Sequence, residues 1–366
     1  MAQLLIDMPA EGAARLLVLS LLEQLALHAR PLNGTSESGA VKRDHAYMEA
    51  LHRLRGCIAV YDEVLDASIP RRVRRRLRVI AKAATRMQQV EVQLAWLKRA
   101  VRPAVRSPVG EHSQGANETG GGSDGSSSPR SASPAALAAE WLHEQLDRRR
   151  AKAALRLEQA HDDPRPFRRL AKRLSVYTTA IRLDDMELSA SFGSLTARQL
   201  VAAAASLRAR VAGVCIDDDR RALRRVRVVA DHVGYLLEPI RSRAVAGELA
   251  ETVHVLRADL ARLEGLAIVA DALIDGGRRI GALHMMARVR RTVWPWVDHP
   301  RSVSDGHGRI FLDPPDEIGL GLVSLAESLR DEWAQAFDAF SAQWLEPDAA
   351  TFFGDIERVA AGLDAW

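Results

Sequence analysis

Residues 71–92 read RRVRRRLRVIAKAATRMQQVEV, and within them Val73, Leu77, Ile80, Ala84 and Met87 recur every three or four positions. That is the period of one helical face. Leu94 continues the stripe and Glu91 interrupts it. Pro70 stands immediately before the run, where a fixed φ and a missing N–H suit the start of a helix. On the opposite side Arg71, Arg75, Arg78, Lys82 and Arg86 follow the spacing i, i+4, i+7, i+11, i+15. With a rise of 1.5 Å per residue they extend over about 22 Å of one face. The stretch predicts a long amphipathic helix whose wet side is a ribbon of positive charge.

The same period recurs outward from this helix. Phe167, Leu170, Leu174, Tyr177 and Ile181 form a second stripe, and Leu223, Val226, Val233 and Leu237 a third. Late in the chain Trp333, Phe337, Phe340 and Trp344 fall at helical spacing, which reads as core rather than as a box for a ligand. The composition agrees: 47% of the residues are hydrophobic but only 5% aromatic, and the apolar positions are mainly Leu, Ala and Val. Such a core favours helices over strands. The expectation is an all-α protein, and 366 residues suffice for two bundles with full cores.

Two segments break the pattern. Residues 107–134 are rich in Gly, Ser and Pro, without apolar periodicity, and read as a disordered loop between helices. Residues 294–319 collect Pro295, Pro300, Pro314 and Pro315 with Gly306 and Gly308, and read as an irregular insertion. A faint repeat joins Leu51-His52-Arg53-Leu54-Arg55 to Leu223-Arg224-Arg225-Val226-Arg227. On that basis residues 1–190 and 191–366 are expected to form two related helical bundles.

Net charge is only +4, but it is unevenly spread. Val41 to Arg106 holds 16 Lys and Arg against 6 Asp and Glu, whereas Asp298 to Trp366 holds 4 against 14. Further cations gather at Arg165, Arg168, Arg169, Lys172 and Arg173, and at Arg220, Arg221, Arg224, Arg225 and Arg227, with His232 seven residues beyond Arg225. Three basic helices suggest a lined groove for a polyanion, since the planar guanidinium fork binds two phosphate oxygens.

Signals for catalysis and for cofactors are missing: there is no Walker-type loop, no H-E-x-x-H, no nucleophile elbow and no C-x-x-C. His284, His299 and His307 are scattered and suggest no metal site, and Asp217-Asp218-Asp219 reads as a helix cap. Cys57 and Cys215 lie in apolar patterns as small hydrophobes, and the apolar segment from Leu16 to Leu22 reads as a buried helix in a cytoplasmic protein without a membrane span.

The paired Leu-His-x-x-Arg element resembles the CHAD family of α-helical domains. The likeness runs through Ala50 to Arg55 and the basic helix ending Val90-Glu91-Val92, then through Leu223 to Arg227, Tyr235 and Glu238, and Leu256 to Leu266. It implies two four-helix bundles related by a pseudo-two-fold axis, with basic residues of both halves lining a surface for inorganic polyphosphate. It also implies binding without catalysis. The family is often joined to a triphosphatase domain, but no E-x-E-x-K signature of that domain occurs in this chain. His52, Arg55, Arg225 and Arg227 match the family's binding element, while Arg224 stands in place of the second histidine, and Asp231 and Gly234 stand where cations are expected. Ala59, Val60, Asp62, Gln88 and Gln89 are further departures.

The expected ligand set is His52, Arg55, Arg224, Arg225 and Arg227 from the resemblance, with Arg75, Arg78, Lys82, Arg86, Arg169 and Lys172 from the basic stripes. The expected partner is inorganic polyphosphate, extending to polyphosphate granules, with no cofactor or metal. Nucleic acid is an alternative, although the basic helices lack interleaved aromatics for base stacking. A protein-interaction scaffold that has lost its ligand is another.

Overall fold

The computed structural model describes residues 5–28, 37–106, 133–161, 165–179, 190–214, 220–279, 289, 292, 317–345 and 349–364. Eleven helices run through them: α1 (Ala10–His28), α2 (Glu37–Val60), α3 (Asp62–Leu65), α4 (Arg71–Arg106), α5 (Pro134–His161), α6 (Arg165–Thr179), α7 (Phe192–Val211), α8 (Arg220–Leu237), α9 (Ala244–Arg279), α10 (Glu317–Trp344) and α11 (Ala349–Asp364). A 3-10 turn, Glu238–Ile240, follows α8. Among the described residues there is no strand, and one isolated bridge pairs Pro9 with Ser191. The fold is all-α.

Several sequence readings fall outside the described residues. These are 107–132 of the Gly/Ser/Pro loop, most of the 294–319 insertion, Ile181, Cys215, the aspartates 217–219, His284, His299 and His307, as well as the side chain of Tyr177. At the edges of the two irregular segments, Pro134 already belongs to α5, and α10 starts at Glu317.

The stripe of residues 71–94 is buried as its period requires: Val73, Leu77, Ile80, Ala84 and Leu94 are all in the core. The Pro70 carbonyl accepts from the amides of Val73 and Arg74, so the proline closes the first turn of α4 from outside. In the second stripe Leu170 and Leu174 are buried, and in the third Leu223, Val226, Val233 and Leu237 are. Trp333, Phe337, Phe340 and Trp344 are likewise core residues, and the Trp344 indole N–H donates to Asp259 at 2.9 Å.

Contacts divide the chain into two compact units. The first comprises Met1–Gln89, Ala151–Gly265 and Ala334–Trp366, the second Val90–Arg150 and Leu266–Trp333. This is a partition by spatial contact, whereas the division at residue 190 is one by sequence repeat; the two describe different properties. In the first unit α1 packs on α2, α6 and α7, α7 packs on α8 and α11, and α2 packs on α8. Ser191 caps α7, its side chain accepting from the Ser194 amide at 3.1 Å.

The second unit draws on parts of α4, α5, α9 and α10. Gln93 is buried and donates from its side chain to the Ile268 carbonyl at 2.9 Å, so a polar core residue is satisfied across helices. The Trp96 indole donates to Glu332 at 2.9 Å, and Arg150 pairs with Glu91 at 2.7 Å. That last contact accounts for Glu91, the one break in the apolar stripe. At Gly321 an added Cβ would overlap the Pro134 carbonyl, so α5 and α10 meet at a distance only glycine permits.

Candidate functional site

The site begins with the pairing of α2 and α8, both in the first unit. In α2, Leu51, Leu54, Cys57 and Ile58 turn into the core, which leaves His52, Arg53 and Arg55 toward its flank and surface. In α8, Leu223, Val226, Ala230 and Val233 do the same, leaving Arg224 and Arg225 exposed and Arg227, Asp231 and His232 half-buried. The two helices come close because Gly56 has no side chain: a Cβ there would overlap the ring of Tyr235. The approach brings the two sequence repeats face to face.

His52 is at the centre. Its Nε2 atom is enclosed and has no hydrogen-bond partner. Burial pushes its pKa below the ordinary histidine value; Asp231 pulls it upward, and Arg227, Arg55 and Arg224 push it further down. His232 is depressed in the same way, by burial first, with Asp231 opposing and Arg55 assisting. His52, Arg55, Arg224 and Arg227 are thus brought within electrostatic reach of one another.

Carboxylates hold part of this cluster. Arg227 donates to Glu264 of α9 at 2.8 Å, and Glu264 is only 7% exposed. Arg257 of α9 donates to Asp231 at 2.6 Å and lies over the Tyr235 ring, 5.6 Å from its centroid. Burial and the neighbouring Asp231 push the Tyr235 hydroxyl up to about 12. Arg53 pairs with Glu238 and reaches Gln24 of α1 at 3.3 Å. Among the described residues Arg55, Arg224 and Arg225 engage no carboxylate, so their forks remain open to a ligand.

The basic face of α4 is formed as its spacing requires. Arg75, Arg78, Lys82 and Arg86 are exposed, and no carboxylate pairs with them among the described residues. Arg74, immediately before Arg75 in sequence, is different: it pairs with Asp62 and, at 3.3 Å, with Asp66, and donates to the Ile69 carbonyl. Tyr47 of α2 lies within the field of Arg76, which lowers a hydroxyl pKa that burial raises. This sets the start of α4 beside α2, little more than one turn before His52. On α6, Arg169 and Lys172 are exposed, and Arg173 donates to the Ala67 carbonyl at 3.2 Å, next to the turn that leads into α4. No described contact joins the α4 or α6 cations directly to His52.

Three members of the cluster were not singled out as ligands or anchors by the sequence. Arg257 and Glu264 lie within the segment of family resemblance but carry no local motif, because their partners are on α8. Asp231 reads in sequence as a missing cation and stands in the structure as the acid that faces both histidines and holds Arg257.

A family model for the CHAD domain matches residues 20–274, well over half of the chain and the whole of the α2–α8–α9 cluster. The chain belongs to the CHAD family. A comparison with curated proteins gave no match. Helices α10 and α11 lie beyond the matched residues although their aromatics complete the cores. Among the described residues no helix is long and apolar enough to cross a membrane.

Proposed function

We propose that the chain binds inorganic polyphosphate, without catalysing a reaction on it, through His52, Arg55, Arg224 and Arg225, flanked by Arg75, Arg78, Lys82 and Arg86 and by Arg169 and Lys172. The observation that carries this reading is the convergence, at the α2–α8 contact beside His52, of Arg55 and Arg224, which are exposed and pair with no carboxylate among the described residues. A phosphate held there meets guanidinium groups from two helices, those of Arg55 and Arg224, in the short charge-assisted bonds that suit an oxyanion. Arg227 contributes field to the site while spending a direct bond on Glu264. Family membership supports the same ligand, and the family's arrangement of two related bundles belongs to this proposal.

Affinity for long-chain polyphosphate, measured over a salt series with single-stranded RNA as competitor, tests it. Binding should be tight at low salt, weaken steeply as salt rises because counterions are released, and survive RNA at equal phosphate concentration. Equal displacement by RNA would assign the surface to phosphodiesters in general. Failure of both to bind at moderate salt would overturn the polyanion reading.

A further inference from the structure

The cluster at the α2–α8 contact holds two half-buried imidazoles besides its arginines, and of its carboxylates Asp231 is the one that faces both rings. His52 faces Arg55 on its own helix and Arg224, Arg227 and Asp231 on α8. His232 faces Asp231 beside it and Arg55 across the contact. Of the neighbouring cations, Arg53 is held by Glu238 and Arg257 by Asp231. A proton placed on either ring of the empty site is therefore an enclosed charge among arginines, and the one acid facing it is already shared with Arg257. A phosphate anion held by the exposed Arg55 and Arg224 reverses that balance, because it adds negative charge where the arginines crowd and so favours the protonated rings.

We propose that this is a proton-coupled anion site, in which loading of a phosphate group is accompanied by uptake of protons from solvent onto His52 and His232. The proposal rests on the polyphosphate reading above. It makes the ring nitrogens part of the ligand's charge balance rather than fixed neutral contacts. Burial holds both rings below the ordinary histidine pKa in the empty site, and the anion moves them back up.

Linkage fixes the sign. If bound anion raises a histidine pKa, protonation of that histidine tightens anion binding by the same factor. Affinity is then flat well above the histidine range and rises as pH falls through it. Each pKa unit regained on binding corresponds to about tenfold in affinity. Asp231 sets where the rise begins: its field partly offsets the burial of both rings, so Asp231→Asn should shift the rise to lower pH.

Titration calorimetry of the full chain with long-chain polyphosphate decides the matter. It is run at pH 8.0 and pH 5.5 (about two and a half units apart across the histidine range), at fixed ionic strength and in paired buffers of different ionisation enthalpy. Internal phosphate units stay ionised throughout, so the ligand contributes little of its own. The expected result is binding about tenfold tighter at the lower pH, a buffer-dependent enthalpy that reports proton uptake, and loss of most of that uptake in the His52→Gln/His232→Gln variant. Binding with no proton uptake in the unaltered protein overturns the proposal and leaves the polyphosphate reading standing. Uptake that persists undiminished in the double variant also overturns it. Absence of binding at either pH removes the polyphosphate reading itself. The paired-buffer measurement needs no variant, so a folding defect in the glutamine protein does not blunt the test.

Discussion

The ring of Tyr235 on α8 occupies the space that a side chain on Gly56 of α2 would require. This close approach lies in the contact that assembles His52 with Arg224 and Arg227. A methyl group at position 56 must therefore push the helices apart or displace the ring. Overpacking of this kind costs about 1–3 kcal/mol. Gly56→Ala is expected to lower thermal stability and polyphosphate affinity together, and replacing Tyr235 by Leu in the same chain should restore part of both. Unchanged melting and affinity in the single variant would show that the contact is slack.

Arg55 and Arg227 should separate binding from stability. Arg55 is exposed and pairs with no carboxylate among the described residues, so Arg55→Ala should weaken polyphosphate binding and leave the melting temperature nearly unchanged. Arg227→Ala strands Glu264, which is 7% exposed, and leaving such a group unsatisfied costs about 1–3 kcal/mol. Chemical denaturation and binding isotherms on the two variants check the contrast. Equal stability in both would mean that the Glu264 contact is dispensable.

The α4 face makes a different prediction. Arg75 and Arg78 are exposed and without carboxylate partners among the described residues, so reversing both charges should weaken polyphosphate binding by tenfold or more at low salt (about 1.4 kcal/mol or more). The slope of affinity against salt should become shallower as contacts are lost. If affinity and slope both survive the double reversal, the ligand does not use this helix.

Stability of the unliganded protein should fall with acid in a definite window. His52 and His232 have folded pKa values below the ordinary histidine value, because burial disfavours their charged forms. The unfolded chain therefore takes up protons first as pH drops below about 6.5. The stability present above that pH is progressively lost on the way down to the folded values. Melting temperatures compared at pH 7.5 and 5.5 (roughly one unit either side of the free histidine value, above most carboxylate titration) should decrease, and should decrease less in His52→Gln. Added polyphosphate should reduce the loss, as the anion restores the charged rings.

The helices and the burial of their apolar stripes were legible because periodicity is a local property. Val73, Leu77 and Ile80 declare their face within three turns. So does the basic ribbon opposite, and the structure leaves Arg75, Arg78, Lys82 and Arg86 exposed as the spacing implies. The anchoring of the cluster was not legible. Arg227 and Glu264 lie on different helices, as do Asp231 and Arg257, and such pairings depend on how α8 meets α9. Asp231 shows the limit most plainly: in sequence it replaces an expected cation, and in space it tunes two imidazoles. The close approach at Gly56 was equally hidden, since a glycine inside a helix does not say which ring will pass over it.

Arg74 lies in the densest run of cations in the chain, yet Asp62, Asp66 and the Ile69 carbonyl already claim its guanidinium. It works as a fastening between the α3 turn and α4. The consequence is one of stoichiometry. Formal charge along this run overstates the valency offered to a polyanion, and the ions displaced on binding will number the residues on either side of Arg74 rather than the run as a whole.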